Sequence, residues 1–221
     1  MLVLGLDTAL QRCSLAILKD GAPIAVKIED MERGHAEHVA PMAQAVFSEA
    51  GATPRDLDRI GVVVGPGGFT GVRIALSFAR ALGVATGVPV VGVTSLEALA
   101  QNVKDENGLI APMIDARRGQ VYAGLYAGGK EIVAPFVDAP EAALARLKAR
   151  AGEQPALLVG TGAGLVAGPP NWTATNADPQ LDPVAVARIA IARPHPVGPP
   201  APLYLRAPDA KKPAARQETP R

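Results

Sequence analysis

A single cysteine, Cys13, stands in a chain of 221 residues. One thiol can close no internal disulfide and cannot build a thiolate zinc site. Its setting, Cys13-Ser14-Leu15-Ala16-Ile17, makes it read as a small buried hydrophobe. Histidine is scarce too, with three in the chain. Excess charge is missing: 22 Lys and Arg face 21 Asp and Glu, for a formal net charge of +1. Such balance creates no long-range field to draw in nucleic acid or a membrane surface. No apolar run approaches the roughly 20 residues that span a bilayer. Nothing at the start resembles a signal peptide, because no basic region precedes the apolar stretch and Asp7 interrupts it. These absences place the chain in the cytoplasm, away from membranes.

What is present is apolar and ordered. Residues AVILMFWYC make up 48% of the chain, which suits a globular protein of one large domain or two lobes. Residues 2–6 form an apolar run ending in Asp7, read as a buried strand. A second strand at 13–18, the hairpin signal Asp20-Gly21 and a third strand at 23–29 complete an antiparallel meander. Over 35–50 the apolar period becomes helical, with Val39, Met42, Ala43, Val46 and Phe47 on one face and Gly51 as the stop. A buried strand at 60–64 runs through a glycine-rich loop into a helix of 71–86, then a strand at 88–93 and another helix capped by Thr94 or Ser95. That order implies a parallel βαβ unit.

The second half repeats the order: strands at 109–114, 121–126 and 131–137, a helix from Pro140 to about 151, a strand at 156–159 and a helix from Pro183 to about 192. Two related lobes follow, at 1–104 and 105–210, with 211–221 as a disordered tail rich in Pro, Ala, Lys and Arg.

Several groups could carry chemistry. Asp7-Thr8 ends the first strand, where a carboxylate can face a cleft and hold a hydrated cation, or can simply accept N–H bonds from the next turn. The loop Gly65-Pro66-Gly67-Gly68-Phe69-Thr70-Gly71 could cradle an anion, or serve as a tight turn where two backbones meet. It matches neither the Walker pattern nor the dinucleotide fingerprint. The helix after it is apolar nearly all round, its polar stripe being Arg73, Ser77 and Arg80, so it is a core helix or is covered by a partner. Ala75, Ala79 and Gly83 would let another helix approach closely. His35 and His38 make a poor zinc set, and helix capping or an exposed role suits them better. The turn at Asp115-Ala116-Arg117-Arg118-Gly119 could clamp a phosphate or be a solvated hairpin. No Ser-His-Asp set, acid pair or Cys-His nucleophile can be assembled.

Five stretches in order resemble one family. They are Leu4-Gly5-Leu6-Asp7-Thr8-Ala9, Gly34-His35-Ala36-Glu37, the loop from Gly65 through Val72-Arg73, Asp115 through Gln120-Val121-Tyr122, and Pro202-Leu203-Tyr204-Leu205-Arg206 onward to Lys211. Together they resemble the TsaB (YeaZ) family. The resemblance implies an α/β ASKHA fold, with two actin-like or Hsp70-like lobes, each a mixed sheet with flanking helices. It implies a non-catalytic role in forming N6-threonylcarbamoyladenosine beside the anticodon of tRNAs that read codons starting with A. The implied partners are the catalytic paralogue TsaD in a heterodimer and the ATPase TsaE in a ternary complex, with tRNA met only through the complex and a homodimer forming in isolation. No cofactor and no metal are expected. Ser95 and Leu99 stand where TsaD carries two metal-ligating histidines, and neither can replace an imidazole.

By the same resemblance, the helices after His35 and Gly71 pack on their counterparts in TsaD. The implied interface comprises His35, Val39, Met42, Val46, Val72, Ala75, Ala79 and Leu82, with Arg73 and Arg80 at the rim or in intersubunit bonds. Asp7, Thr8, Gly67, Gly68, Gly160 and Gly162 would outline a vestigial nucleotide cleft, where Thr161 departs from the acidic or amide residue usual in the family. The rival expectations are an ASKHA phosphotransferase, a peptidase-like enzyme, or a self-contained homodimer.

Overall fold

The computed structural model describes residues 1–103, 108–175 and 180–206. The lobe boundary at 104 and the tail at 211–221 lie outside the described residues.

Two five-stranded sheets carry the same topology. In the first, β1 (Leu2–Asp7), β2 (Arg12–Lys19) and β3 (Ala22–Asp30) form the antiparallel meander, and β4 (Arg59–Val63) and β5 (Val90–Val93) add in parallel beyond β1, for an order β3-β2-β1-β4-β5. In the second, β6 (Leu109–Arg117), β7 (Gln120–Ala127) and β8 (Lys130–Asp138) form the meander, and β9 (Ala156–Val159) and β10 (Trp172–Ala174) add in parallel, for an order β10-β9-β6-β7-β8. The duplicated element order of the sequence is therefore a duplicated fold, the two-lobed ASKHA architecture.

α1 (His35–Ala50) and α2 (Phe69–Thr86) cover one face of the first sheet. Leu4, Leu6, Leu15 and Ile17 meet Val39, Met42, Val46 and Val72 there in one buried cluster. This cluster runs on through Leu96 and Leu99 of α3 (Ser95–Asn102) to Ile110, Ile114 and Tyr126, so the lobes share a core. Thr94 caps α3, its hydroxyl accepting from the Glu97 N–H at 3.1 Å. In the second lobe, α4 (Pro140–Ala151) packs Ala143, Leu147 and Ala151 against Met113, Ala123 and Leu125.

The last helix departs from the lobe assignment. α5 (Pro183–Ala192) falls within the stretch assigned to the second lobe, yet it packs on the other face of the first sheet. Val184, Ala187 and Ala190 meet Val3, Ala16, Leu18 and Val91. Gly5 and Gly61, paired across β1 and β4, make this possible. A Cβ on Gly5 would lie 2.1 Å from the Pro183 carbonyl oxygen, and one on Gly61 would lie 2.8 Å from Ala190 Cβ. The helix backbone lies directly on the bare sheet. Arg59 donates to the Ala190 carbonyl at 2.7 Å, satisfying the helix end.

Two further details differ from expectation. The C-terminal strand that the family resemblance implies from Pro202 onward does not form among the described residues; Leu203 donates one bond to the Val64 carbonyl at 2.8 Å, and Pro200 and Pro202 have no N–H with which to extend a ladder. Gly83 turns toward β5 rather than a neighbouring helix, since a Cβ there would meet Val90 Cγ2 at 2.6 Å. No described helix is long and apolar enough to cross a membrane.

Candidate functional site

A cavity of about 750 Å³ opens between the lobes. From the first lobe come Leu10 and Gln11, after β1, and Gly67, Gly68 and Phe69 at the start of α2. Ile114, Asp115, Arg117, Tyr122 and Thr161 face them from the second lobe. Leu203, Tyr204, Leu205 and Arg206 close one side. Its size suits a small ligand.

The residues expected to outline a nucleotide cleft divide. Gly67 and Gly68 reach the cavity wall, while Asp7 and Thr8 are wholly buried beneath it. The Asp7 Oδ1 accepts from the Ala9 N–H at 2.8 Å, and its Oδ2 is buried without a hydrogen-bond partner among the described residues. Burial pushes the Asp7 carboxyl up to about 7, against the opposing pull of the Ala9 N–H and of Arg12. The same burial, aided by Asp7, pushes the Cys13 thiol up to about 12, which keeps it an inert core thiol. Gly160 and Gly162 sit behind the wall: a Cβ on Gly160 would lie 2.4 Å from the Met113 carbonyl oxygen, and the Gly162 N–H donates to that same carbonyl at 2.9 Å. Thr161 between them faces the cavity and accepts from the Asp115 N–H at 3.0 Å.

The glycine loop is packed against its own lobe. The Gly68 N–H donates to the Ala9 carbonyl at 2.7 Å, and the Thr8 hydroxyl donates to the Gly71 carbonyl at 2.7 Å. Of the two readings the sequence left open, close backbone approach is the one the geometry displays. Arg117 and Arg118 take left-handed backbone conformations, with φ of 63° and 55°, in the β6–β7 turn. The Arg117 guanidinium lies 3.6 Å from the Asp115 carboxylate.

The interface residues named from the resemblance mostly point inward. Val39, Met42, Val46, Val72, Ala75 and Ala79 are each at most 5% exposed, because the apolar faces of α1 and α2 cover their own sheet. Leu82 is half-buried against the same core. His35 is buried rather than capping α1, whose cap is Gly34, and desolvation lowers its pKa. His38 lies outside, 3.0 Å from the Glu29 carboxylate. The outward stripe of α2 is Phe69, Arg73, Ser77, Ala81, Val84 and Ala85, with Val84 87% exposed. Arg73 and Arg80 are engaged within the chain: Arg73 donates to the Tyr204 hydroxyl at 2.8 Å, and Arg80 donates to the Pro200 carbonyl.

Sequence reasoning missed Tyr122, Tyr204 and Arg206 as cavity residues, although all three fall inside motifs that carried the resemblance. Ser95 and Leu99 are both fully buried on α3. Among the described residues no three His, Cys, Asp or Glu side chains group as metal ligands would.

Residues 26–162 match the family model described as TsaD, tRNA N6-adenosine threonylcarbamoyltransferase. The tRNA threonylcarbamoyladenosine biosynthesis protein TsaB of Bacillus subtilis is 39% identical over 126 residues, 57% of this chain and 55% of that one. The match thus spans about half of that relative's length. The TsaB of Haemophilus influenzae is 31% identical over 176 residues, 72% of each chain. The solved structure of YeaZ from Pseudomonas aeruginosa superposes with a TM-score of 0.77 at 31% identity, covering 92% of this chain and 99% of that one.

Proposed function

The chain belongs to the TsaB (YeaZ) family, and from that premise we propose that it is a non-catalytic subunit that binds and activates TsaD in forming threonylcarbamoyladenosine on tRNA. TsaE joins the pair in a ternary complex, and tRNA is met through the complex. Alone, the chain pairs with itself through the same face. The observation that carries the reading is the outward stripe of α2. Its second half, Ser77, Ala81, Val84 and Ala85, bears no charge and leaves Val84 87% exposed. A helix so presented offers a partner helix an apolar, small-residue seat.

Three buried residues support the non-catalytic part of the reading. Where the resemblance places the two histidines of TsaD stand a buried hydroxyl and a buried alkyl group, Ser95 and Leu99. Asp7, the carboxylate a phosphotransferase would aim at a hydrated cation, is 0% exposed. An enzyme acting alone would lack the two imidazoles altogether, and would also need Asp7 uncovered.

The test is a reconstitution. TsaD, TsaE, the donor synthase, ATP, threonine, bicarbonate and tRNA are assayed for the modified nucleoside with and without this chain. Modification that requires the chain upholds the subunit role; modification indifferent to it refutes that role. Val84→Glu with Ala81→Glu places two charges in the proposed seat, and should abolish co-purification with TsaD while leaving the circular dichroism spectrum unchanged. Wild-type recovery of TsaD by the double variant would put the interface elsewhere.

A further inference from the structure

Beyond α2, the strongest unexplained feature is the segment 200–206, which touches both lobes. At one end the Pro200 carbonyl accepts from Arg80. Four residues on, the Tyr204 hydroxyl accepts from Arg73 at 2.8 Å, and its ring lies 5.3 Å from that of Phe69, tilted 31°. The Arg73 guanidinium covers the Phe69 ring at 3.5 Å. From Arg80 back to Arg73 is about 10 Å of helix; from Pro200 to Tyr204 is about 13 Å of extended chain. The lengths agree with a segment laid antiparallel along α2, and Leu203 pins it to Val64.

At its other end the segment crosses to the second lobe. Arg206 donates to the Gln120 side-chain carbonyl at 2.6 Å and to the Arg117 carbonyl at 3.3 Å, both in the β6–β7 turn. Leu203, Tyr204, Leu205 and Arg206 also wall the cavity. One short stretch therefore lies beside the outward stripe of α2, edges the cavity and holds the opposite lobe. Phe69 and Tyr204 are 47% and 45% exposed, so they continue the α2 stripe outward.

We propose that residues 200–206 form a strap that joins the partner-binding face of α2 to the β6–β7 turn, so that a protein seated on α2 sets the opening of the interlobe cavity. The proposal rests on reading α2 as the seat of TsaD. It makes Phe69 and Tyr204 part of that seat, and Arg206 the anchor in the second lobe. The partner does not enter the cavity; it fixes the strap, and the strap fixes the cavity wall.

Hydrogen exchange on the intact chain tests it. Tyr204→Ala frees the strap at α2, and should speed exchange in the β6–β7 turn about tenfold, the loss expected when a charge-assisted bond such as that of Arg206 is no longer held in place. Gln120→Ala loosens the other end, leaving Arg206 only its longer bond to the Arg117 carbonyl, and should speed exchange at the start of α2 with the urea midpoint little changed. If both variants leave the distant site at its wild-type rate, there is no strap coupling. Adding TsaD should slow exchange in α2 and in the turn for the wild type, but in α2 alone for Gln120→Ala. Protection of α2 without the turn in the wild type would overturn the coupling while leaving the partner seat intact. Protection of neither, with the turn still loosened by Tyr204→Ala, would uphold the strap and remove TsaD as its occupant.

Discussion

Replacing Asp7 by Asn should make the protein more stable at pH 8 and nearly neutral in effect at pH 4. The carboxyl is wholly buried, and its Oδ2 has no hydrogen-bond partner among the described residues. Burial raises its pKa from 3.8 to about 7. The folded chain therefore binds this proton more tightly than the unfolded chain. Asp7 costs nothing below about pH 4, and its cost grows as pH rises toward 7 and is constant above. At 1.36 kcal/mol per unit, the rise from 3.8 to about 7 amounts to about 4 kcal/mol, an upper figure for the charged state. Asparagine keeps the acceptor for the Ala9 N–H and matches the shape of the protonated acid. Urea unfolding of both proteins at pH 4, 6 and 8, at one protein concentration, gives the difference directly. It should widen steadily from near zero toward about 4 kcal/mol in favour of Asn. A difference independent of pH, or a variant less stable at pH 8, would show that Asp7 is charged and satisfied, and that the reading of its burial is wrong.

Three further changes probe the frame around the cavity. Gly71→Ala would set a Cβ 1.9 Å from the Thr8 carbonyl oxygen, so the loop must part from the β1 turn; a lowered melting temperature and altered near-ultraviolet circular dichroism should report it. Thr94→Ala removes the cap of α3, and should cost about 1 kcal/mol in urea unfolding. Trp172→Ala empties a 5% exposed site whose indole N–H donates to the Gln154 carbonyl at 3.2 Å, and should cost about 3–5 kcal/mol, read by the same method.

Much of the fold was legible because its signals are local. Alternation, Asp20-Gly21, Gly51 and Pro183 each mark a boundary that lies where their geometry demands. What escaped was set by distance along the chain. β10 lies in a Gly-, Pro- and Asn-rich stretch, and is a strand because Trp172 finds Ala156 beside it in β9. α5 reads as a second-lobe helix by position, but its apolar face packs on Val3, Ala16, Leu18 and Val91 of the first sheet, and the bare backbones at Gly5 and Gly61 let it approach. At the site, the periodicity of α1 and α2 located their apolar faces correctly but could not say what covers them. The sheet covers them, so Val39, Met42 and Ala79 are core, and the exposed stripe that we propose as the partner seat lies round at Ala81 and Val84.

That rotation also explains why a glycine-rich loop here need not signal a ligand. Cβ atoms on Gly67 and Gly71 would lie 2.6 Å from the Ala9 and 1.9 Å from the Thr8 carbonyl oxygen, distances real Cβ atoms do not adopt. The Gly68 N–H, which an anion would need, already donates to Ala9. Each of the three glycines thus serves the contact between the α2 start and the turn after β1. The contact fixes where α2 begins, and so the direction in which its outward stripe faces. A loop of a kind that could cradle an anion is, in this chain, the mount of α2, the helix proposed to seat the partner. The cavity beside it is bounded by that loop and by residues 203–206, so on the proposed reading changes at Gly71 and at Tyr204 should be felt at the proposed partner surface.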